Sequence, residues 1–198
     1  MPKDRLLAYT DAVLAIILTI MVIEFKVPHT PDWSALYELR SMFSAYILSF
    51  IYLTIYWNNH HHVFQNVKSI SGRILWRNSL LLFALSLIPF ATAWMEENHF
   101  AENTVVFYGI VLLFVSLSFN SLLQRIRKNE DKDSILRKIL ERDRKGKASI
   151  ILYVLGIIIS FFSGNLGFIA YLLAALIWIV PDRRMERLFF FSAKKEAS

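Results

Sequence analysis

Apolar residues in this chain come in long runs, and short charged stretches separate the runs. About 20 apolar residues in helical form, rising ~1.5 Å each, match the ~30 Å hydrocarbon core of a bilayer. Six such runs can be read, at about 6–27, 36–59, 74–96, 104–125, 148–163 and 166–180. The first four are long enough to span alone. The last two meet at Ser163-Gly164-Asn165, a turn-prone tripeptide, which predicts a tight helical hairpin rather than one helix overshooting the bilayer. The expected fold is an all-α integral membrane protein with six transmembrane helices, forming a single domain over residues 1–198.

The charges give the runs a direction. Placing the N-terminus inside makes 1–5, 60–73, 126–147 and 181–198 the inner segments. The third of these holds Arg127, Lys128, Lys132, Arg137, Lys138, Arg142, Arg144, Lys145 and Lys147, and the tail holds Arg183, Arg184, Arg187, Lys194 and Lys195. The outer segments carry Lys26 near Pro28, then Glu96, Glu97 and Glu102. Lys and Arg collect on the cytoplasmic side of membrane proteins, so both termini are expected in the cytoplasm. Within 126–147, Ile135-Leu136 and Ile139-Leu140 fit a short amphipathic surface helix, or the fourth helix continues past the membrane.

Composition agrees with this reading. The chain is 56% hydrophobic and 19% charged, and its mean hydropathy is +0.44. A soluble domain of this length needs more polar surface. With Cys at 0, disulfides, thiolate metal sites and thiol nucleophiles are excluded. The apolar run after Lys3 and Arg5 reads as a membrane helix and not as a cleaved signal peptide.

The first helix carries the unusual chemistry. Arg5 and Asp11 stand at its entrance, and an ionisable group in a membrane helix marks function by default. At about 100° per residue, Ala12, Ile16, Thr19, Ile20 and Ile23 fall in one stripe, while Asp11 lies near the opposite side from Ile16. Arg5 and Asp11 do not face each other, so their partners belong to other helices or another subunit. The stripe is either an ordinary packing face or the lining of a pore, and periodicity does not choose between the two.

Elsewhere the chemistry is sparse. The second run ends in Tyr56-Trp57-Asn58-Asn59-His60-His61-His62-Val63-Phe64. Consecutive histidines on a helix point about 100° apart and do not converge on one ion as an i,i+4 pair does. Hydrogen bonding to the charges at the inner end of the first helix is the expected use, with pH sensitivity as a corollary. Pro89 inside the third run permits a kink, and Ser116, Ser118, Asn120 and Ser121 on the fourth read as packing groups. No nucleophile elbow, phosphate-cradling loop, metalloprotease motif or Thr-Val-Gly-Tyr-Gly potassium filter is present.

Several of these residues form a known pattern. Arg5-x-x-x-Tyr9-Thr10-Asp11 resembles the Arg-x-x-x-Phe-Ser-Asp signature of the transmembrane protein 175 family, the lysosomal potassium channels and their prokaryotic homologues. Tyr56-Trp57-x-Asn59-His60-His61-x-x-Phe64, Ile88-Pro89-Phe90-x-Thr92 and Tyr108-Gly109 resemble further family motifs in the same order. Tyr9 and Thr10 replace phenylalanine and serine and keep their shape and character.

The resemblance implies a potassium-permeable cation channel in the plasma membrane. A single-repeat chain would assemble as a homotetramer, with no obligate protein partner, nucleic acid, metal or cofactor. The first helix would line the pore on the symmetry axis, with Ile16 at the constriction, Ile20 and Ile23 as further apolar rings, and Thr19 as a polar ring giving modest preference for K+ over Na+. Arg5, Tyr9, Thr10, Asp11, Trp57, His60 and His61 would form a structural network holding that helix. The alternative is a proton channel or proton-coupled transporter using Asp11 and the second-helix histidines. A lipid-acting membrane enzyme and an inert scaffold are further rivals, distinguished by headgroup dependence and by tight liposomes respectively.

Overall fold

The computed structural model describes residues 2–131, 133–141 and 144–179, and every regular element among them is helical. The basic tail, Lys132, Arg142 and the last residue of the sixth predicted run lie outside the described residues. The helices are α1 (Lys3–Ile23), α2 (Trp33–Glu38), α3 (Arg40–Gln65), α4 (Gly72–Ser86), α5 (Ile88–Glu97), α6 (Glu102–Asn129), α7 (Ile135–Glu141), α8 (Arg144–Ser160) and α9 (Gly164–Ile179).

Helix boundaries depart from the apolar runs where local chemistry intervenes. The second run is split by a turn at Leu39, and α3 continues six residues past the predicted end at 59 to Gln65. The third run breaks at Leu87, so that Pro89 sits in the first turn of α5, where its missing N–H leaves no hydrogen bond unmade. The fourth run continues to Asn129, and the short helix α7 follows it. α6 thus runs four residues past the predicted end at 125, and α7 packs against it.

By length and composition, three segments among the described residues are able to cross a membrane: Lys3–Ile23, Gly72–Glu97 and Glu102–Asn129. α3 has the length, 26 residues, but its tyrosines and its Asn-His end dilute its hydropathy. α8 and α9 are shorter, at 17 and 16 residues.

α6 is the hub, packing on α4, α5, α8 and α9. α1 packs on α3, α4 and α5, whereas the α8–α9 hairpin packs on α6 and α3. Polar side chains join the buried helices. Ser49 Oγ lies 2.7 Å from Thr92 Oγ1 and 2.9 Å from the Tyr108 hydroxyl, and the Tyr52 hydroxyl donates to the Tyr171 carbonyl at 2.6 Å. Such contacts hold helices together where lipid and protein are equally apolar. Tyr171 is fully buried and lies against Gly109 and Gly156, at both of which a Cβ would collide with its ring or hydroxyl. Just past the C-terminal end of α1, the Lys26 ammonium meets Glu97 at 3.0 Å. That hydrogen bond, reinforced by charge attraction, raises the lysine pKa above its ordinary value.

Candidate functional site

α1 has two faces of opposite fate. Leu6, Thr10, Leu14, Ile17 and Met21 recur every three or four residues and are buried against the neighbouring helices. The other face has no cover within the chain: Ile16 is 59% exposed, Ile20 42% and Ile23 73%, and Ala12 and Thr19 are exposed beside them. The stripe drawn from periodicity falls within the uncovered surface, which also takes in Tyr9, Asp11, Ala15 and Val22. Thr19 donates its hydroxyl proton to the Ala15 carbonyl at 2.7 Å. A hydroxyl so engaged keeps its oxygen lone pairs for an outside donor or a cation.

Behind that face, a chain of hydrogen bonds fixes the N-terminal half of α1. Asn78 Nδ2 on α4 donates to Thr10 Oγ1 at 3.0 Å, and Asn78 Oδ1 lies 2.8 Å from His60 Nε2 on α3. The amide oxygen only accepts, so His60 carries its proton on Nε2. All three side chains are buried: Thr10 at 1% exposure, His60 and Asn78 at 2% each. His60 also stacks on Phe64, with centroids 4.3 Å apart. Nearer the surface, Trp57 Nε1 donates to Asp11 Oδ1 at 2.9 Å, and the Trp57 ring stacks on His61. His61 in turn meets Gln65 Nε2 at 2.7 Å, and Lys3 Nζ donates to the Gln65 carbonyl at 3.1 Å.

Thr10, Asp11, Trp57, His60 and His61 are thus brought together. Arg5 and Tyr9 are not. Both are exposed, and neither has a hydrogen bond or ion pair among the described residues. His60 reaches an amide and not a charge, so the expected histidine–carboxylate contact is replaced by the link through Asn78. Sequence reasoning passed over Asn78. The available signal was a fully polar amide one turn inside an apolar run. The three histidines diverge, and no group of three His, Asp or Glu side chains among the described residues is placed to hold a metal.

This arrangement coincides with a known family. Its sequence model, described as endosomal/lysosomal potassium channel TMEM175, matches residues 5–89, a segment that takes in most of α1 and the Thr10, Asn78 and His60 contacts. A protein named potassium channel from a Chryseobacterium species is 49% identical over 94% of this chain and 97% of its own. The chain belongs to the TMEM175 family. The family is one of ion channels and not of enzymes. A TMEM175 homologue from Chamaesiphon minutus, described as a lysosomal potassium-selective channel homologue, superposes with a TM-score of 0.80 at 25% identity, covering 90% of this chain and 96% of that one. A chicken protein named endosomal/lysosomal proton channel TMEM175 is 29% identical over 90% of this chain, which spans 38% of its length.

Proposed function

We propose that the chain forms a potassium-permeable cation channel in the plasma membrane: a homotetramer with six crossings per subunit, both termini in the cytoplasm, and α1 from each copy around the central axis. It needs no cofactor, and K+ is the permeant ion. The observation that carries this reading is the uncovered apolar face of α1. A single such helix encloses nothing, whereas a closed ring of identical helices encloses a path and buries the face. Ile16, Ile20 and Ile23 then stack as apolar rings that dewet when narrow and block ions. Opening requires the four α1 helices to tilt or turn until hydrated cations pass. Thr19 supplies a ring of oxygens between the apolar rings and gives modest selectivity for K+ over Na+. Thr10 and Asp11, anchored through Asn78, His60 and Trp57, hold the inner end of α1 at the angle that sets the constriction.

The absence of native cysteine makes a direct test available. Ile16→Cys and Ile23→Cys are expected to give oxidative cross-links between copies, while Trp76→Cys, on α4 and also exposed, is not. Equal cross-linking at all three positions contradicts an α1-lined axis.

A second reading rests on the proton-channel name of the chicken relative and on the carboxylate of Asp11, which stands exposed beside Trp57 and His61 in the single chain. It makes Asp11 and the histidines a proton relay, and it predicts currents that follow the pH gradient and vanish in Asp11→Asn.

A further inference from the structure

The starts of α4 and the end of α6 lie side by side, and together they assemble positive charge without an acidic counterpart. Arg73 and Arg77 occupy successive turns of α4, and Arg125 and Lys128 occupy the last turns of α6, around a cleft of about 390 Å³ that Trp76 flanks. Cations at a helix N-terminus oppose the macrodipole. α4 nonetheless opens with arginine, has no acidic residue in its first turn, and lacks a side-chain cap from Ser71. The nearby acids are engaged elsewhere: Glu130 accepts from the Lys68 backbone N–H and from Ser134, and Asp131 pairs with Lys68. None of the four cations has an acidic partner among the described residues. Arg77 donates to Ser121 across the two helices, which fixes the cleft's geometry. The Arg125 Nε is buried without any hydrogen-bond acceptor, and a buried donor left unmet is costly.

Beyond the cleft the same groove turns apolar. Phe83 of α4 meets Phe114 of α6 at 6.3 Å, in the antiparallel register that places Arg77 beside Ser121. Phe83 and Leu117 are exposed along it. A cationic head end with a tryptophan at its rim, followed by an exposed apolar track, has the polarity of a phospholipid. Two pairs of cations on separate helices match two phosphates better than one.

We propose that this cleft is a binding site for a phospholipid carrying two phosphates, such as diphosphatidylglycerol, in the cytoplasmic leaflet. The proposal rests on reading the chain as a membrane channel with the start of α4 at the inner surface. Basic clefts between transmembrane helices on that side are suited to multiply charged headgroups. Arg125 and Arg77 hold the phosphates, Trp76 sits at the headgroup level, and the acyl chains lie along Phe83 and Phe114.

The test uses the purified channel in a neutral detergent, titrated with diphosphatidylglycerol, phosphatidylcholine or inorganic phosphate, reading bound lipid by native mass spectrometry and the shift in thermal midpoint. Diphosphatidylglycerol alone is expected to be retained and to raise the midpoint. The exposed pair Arg73→Gln/Lys128→Gln is expected to weaken retention on the order of thirtyfold, about fivefold per cation removed. Arg73→Lys/Lys128→Arg, which keeps both charges, is expected to restore it, and Lys138→Gln on α7 to leave it unchanged. Equal retention of phosphatidylcholine, an equal shift with inorganic phosphate, or undiminished binding by the glutamine pair overturns the site. Potassium flux from phosphatidylcholine vesicles is read on the same preparation. Lost lipid binding with flux intact overturns the lipid site alone, and lost flux with specific lipid binding contradicts only the channel reading.

Discussion

At the scale of single residues, the account turns on which groups have partners and which face nothing. Ile16 is largely uncovered within its own chain, and the proposed channel covers it with copies of α1. Ile16→Asn replaces an apolar ring with one that holds water, and dewetting no longer blocks the path. The expected outcome is a larger conductance or an increased open fraction in planar bilayers, with subunit stability little changed because the side chain is exposed. Thr10 is the opposite case. Thr10→Val keeps its shape but strands Asn78 Nδ2 in a buried setting, at an expected cost of about 1–3 kcal/mol. A double-mutant cycle with His60→Phe is expected to show coupling, since both side chains act through the one Asn78 amide. Trp57→Phe keeps the stacking on His61 and removes the bond to the exposed Asp11. It is expected to cost less than Thr10→Val, and denaturation midpoints in detergent order the two.

At the scale of elements, the reading of the sequence succeeded where a residue was physically out of place. Asp11 in an apolar run singled out α1, and Pro89 was expected to permit a kink in the third run, which instead breaks at Leu87. The break at Leu39 between α2 and α3 had no such marker, since neither Gly nor Pro stands there. The extension of α3 to Gln65 was hidden because Asn58 to His62 are polar and end the apolar run, although the helix continues and buries His60, Val63 and Phe64. Asn78 was passed over for a related reason: amides are ordinary packing groups in membrane helices, and its partners lie 68 residues away at Thr10 and 18 away at His60. The packing of Tyr171 between Gly109 and Gly156 was equally invisible, because it joins α9 to α6 and α8 only in three dimensions. Gly109→Ala drives a methyl group into the Tyr171 hydroxyl and is expected to destabilise the fold by about 1–3 kcal/mol. A lower thermal midpoint in Gly109→Ala, partly recovered by Tyr171→Phe, which removes that hydroxyl, checks this contact.

At the scale of the whole molecule, one chain buries one face of α1 and leaves the other uncovered. The polar ladder of Ser49, Thr92 and Tyr108 joins the buried helices, and the network through Asn78 sets α1 on the rest. In the proposed channel, the enclosed path comes from the symmetric ring of α1 helices. Most of this level was beyond the sequence, because assembly depends on which face of α1 stays open, and an almost uniformly apolar helix does not announce that. The central claim is permeation by potassium along the assembled α1 helices, and the reversal potential of the purified protein in planar bilayers, under opposed K+ and Na+ gradients at symmetric pH, tests it most directly. The account predicts a reversal displaced toward the potassium equilibrium potential and, in Ile16→Asn, a larger current. Absence of current, or current that arises only when a pH gradient is imposed and reverses at the proton potential, would contradict it.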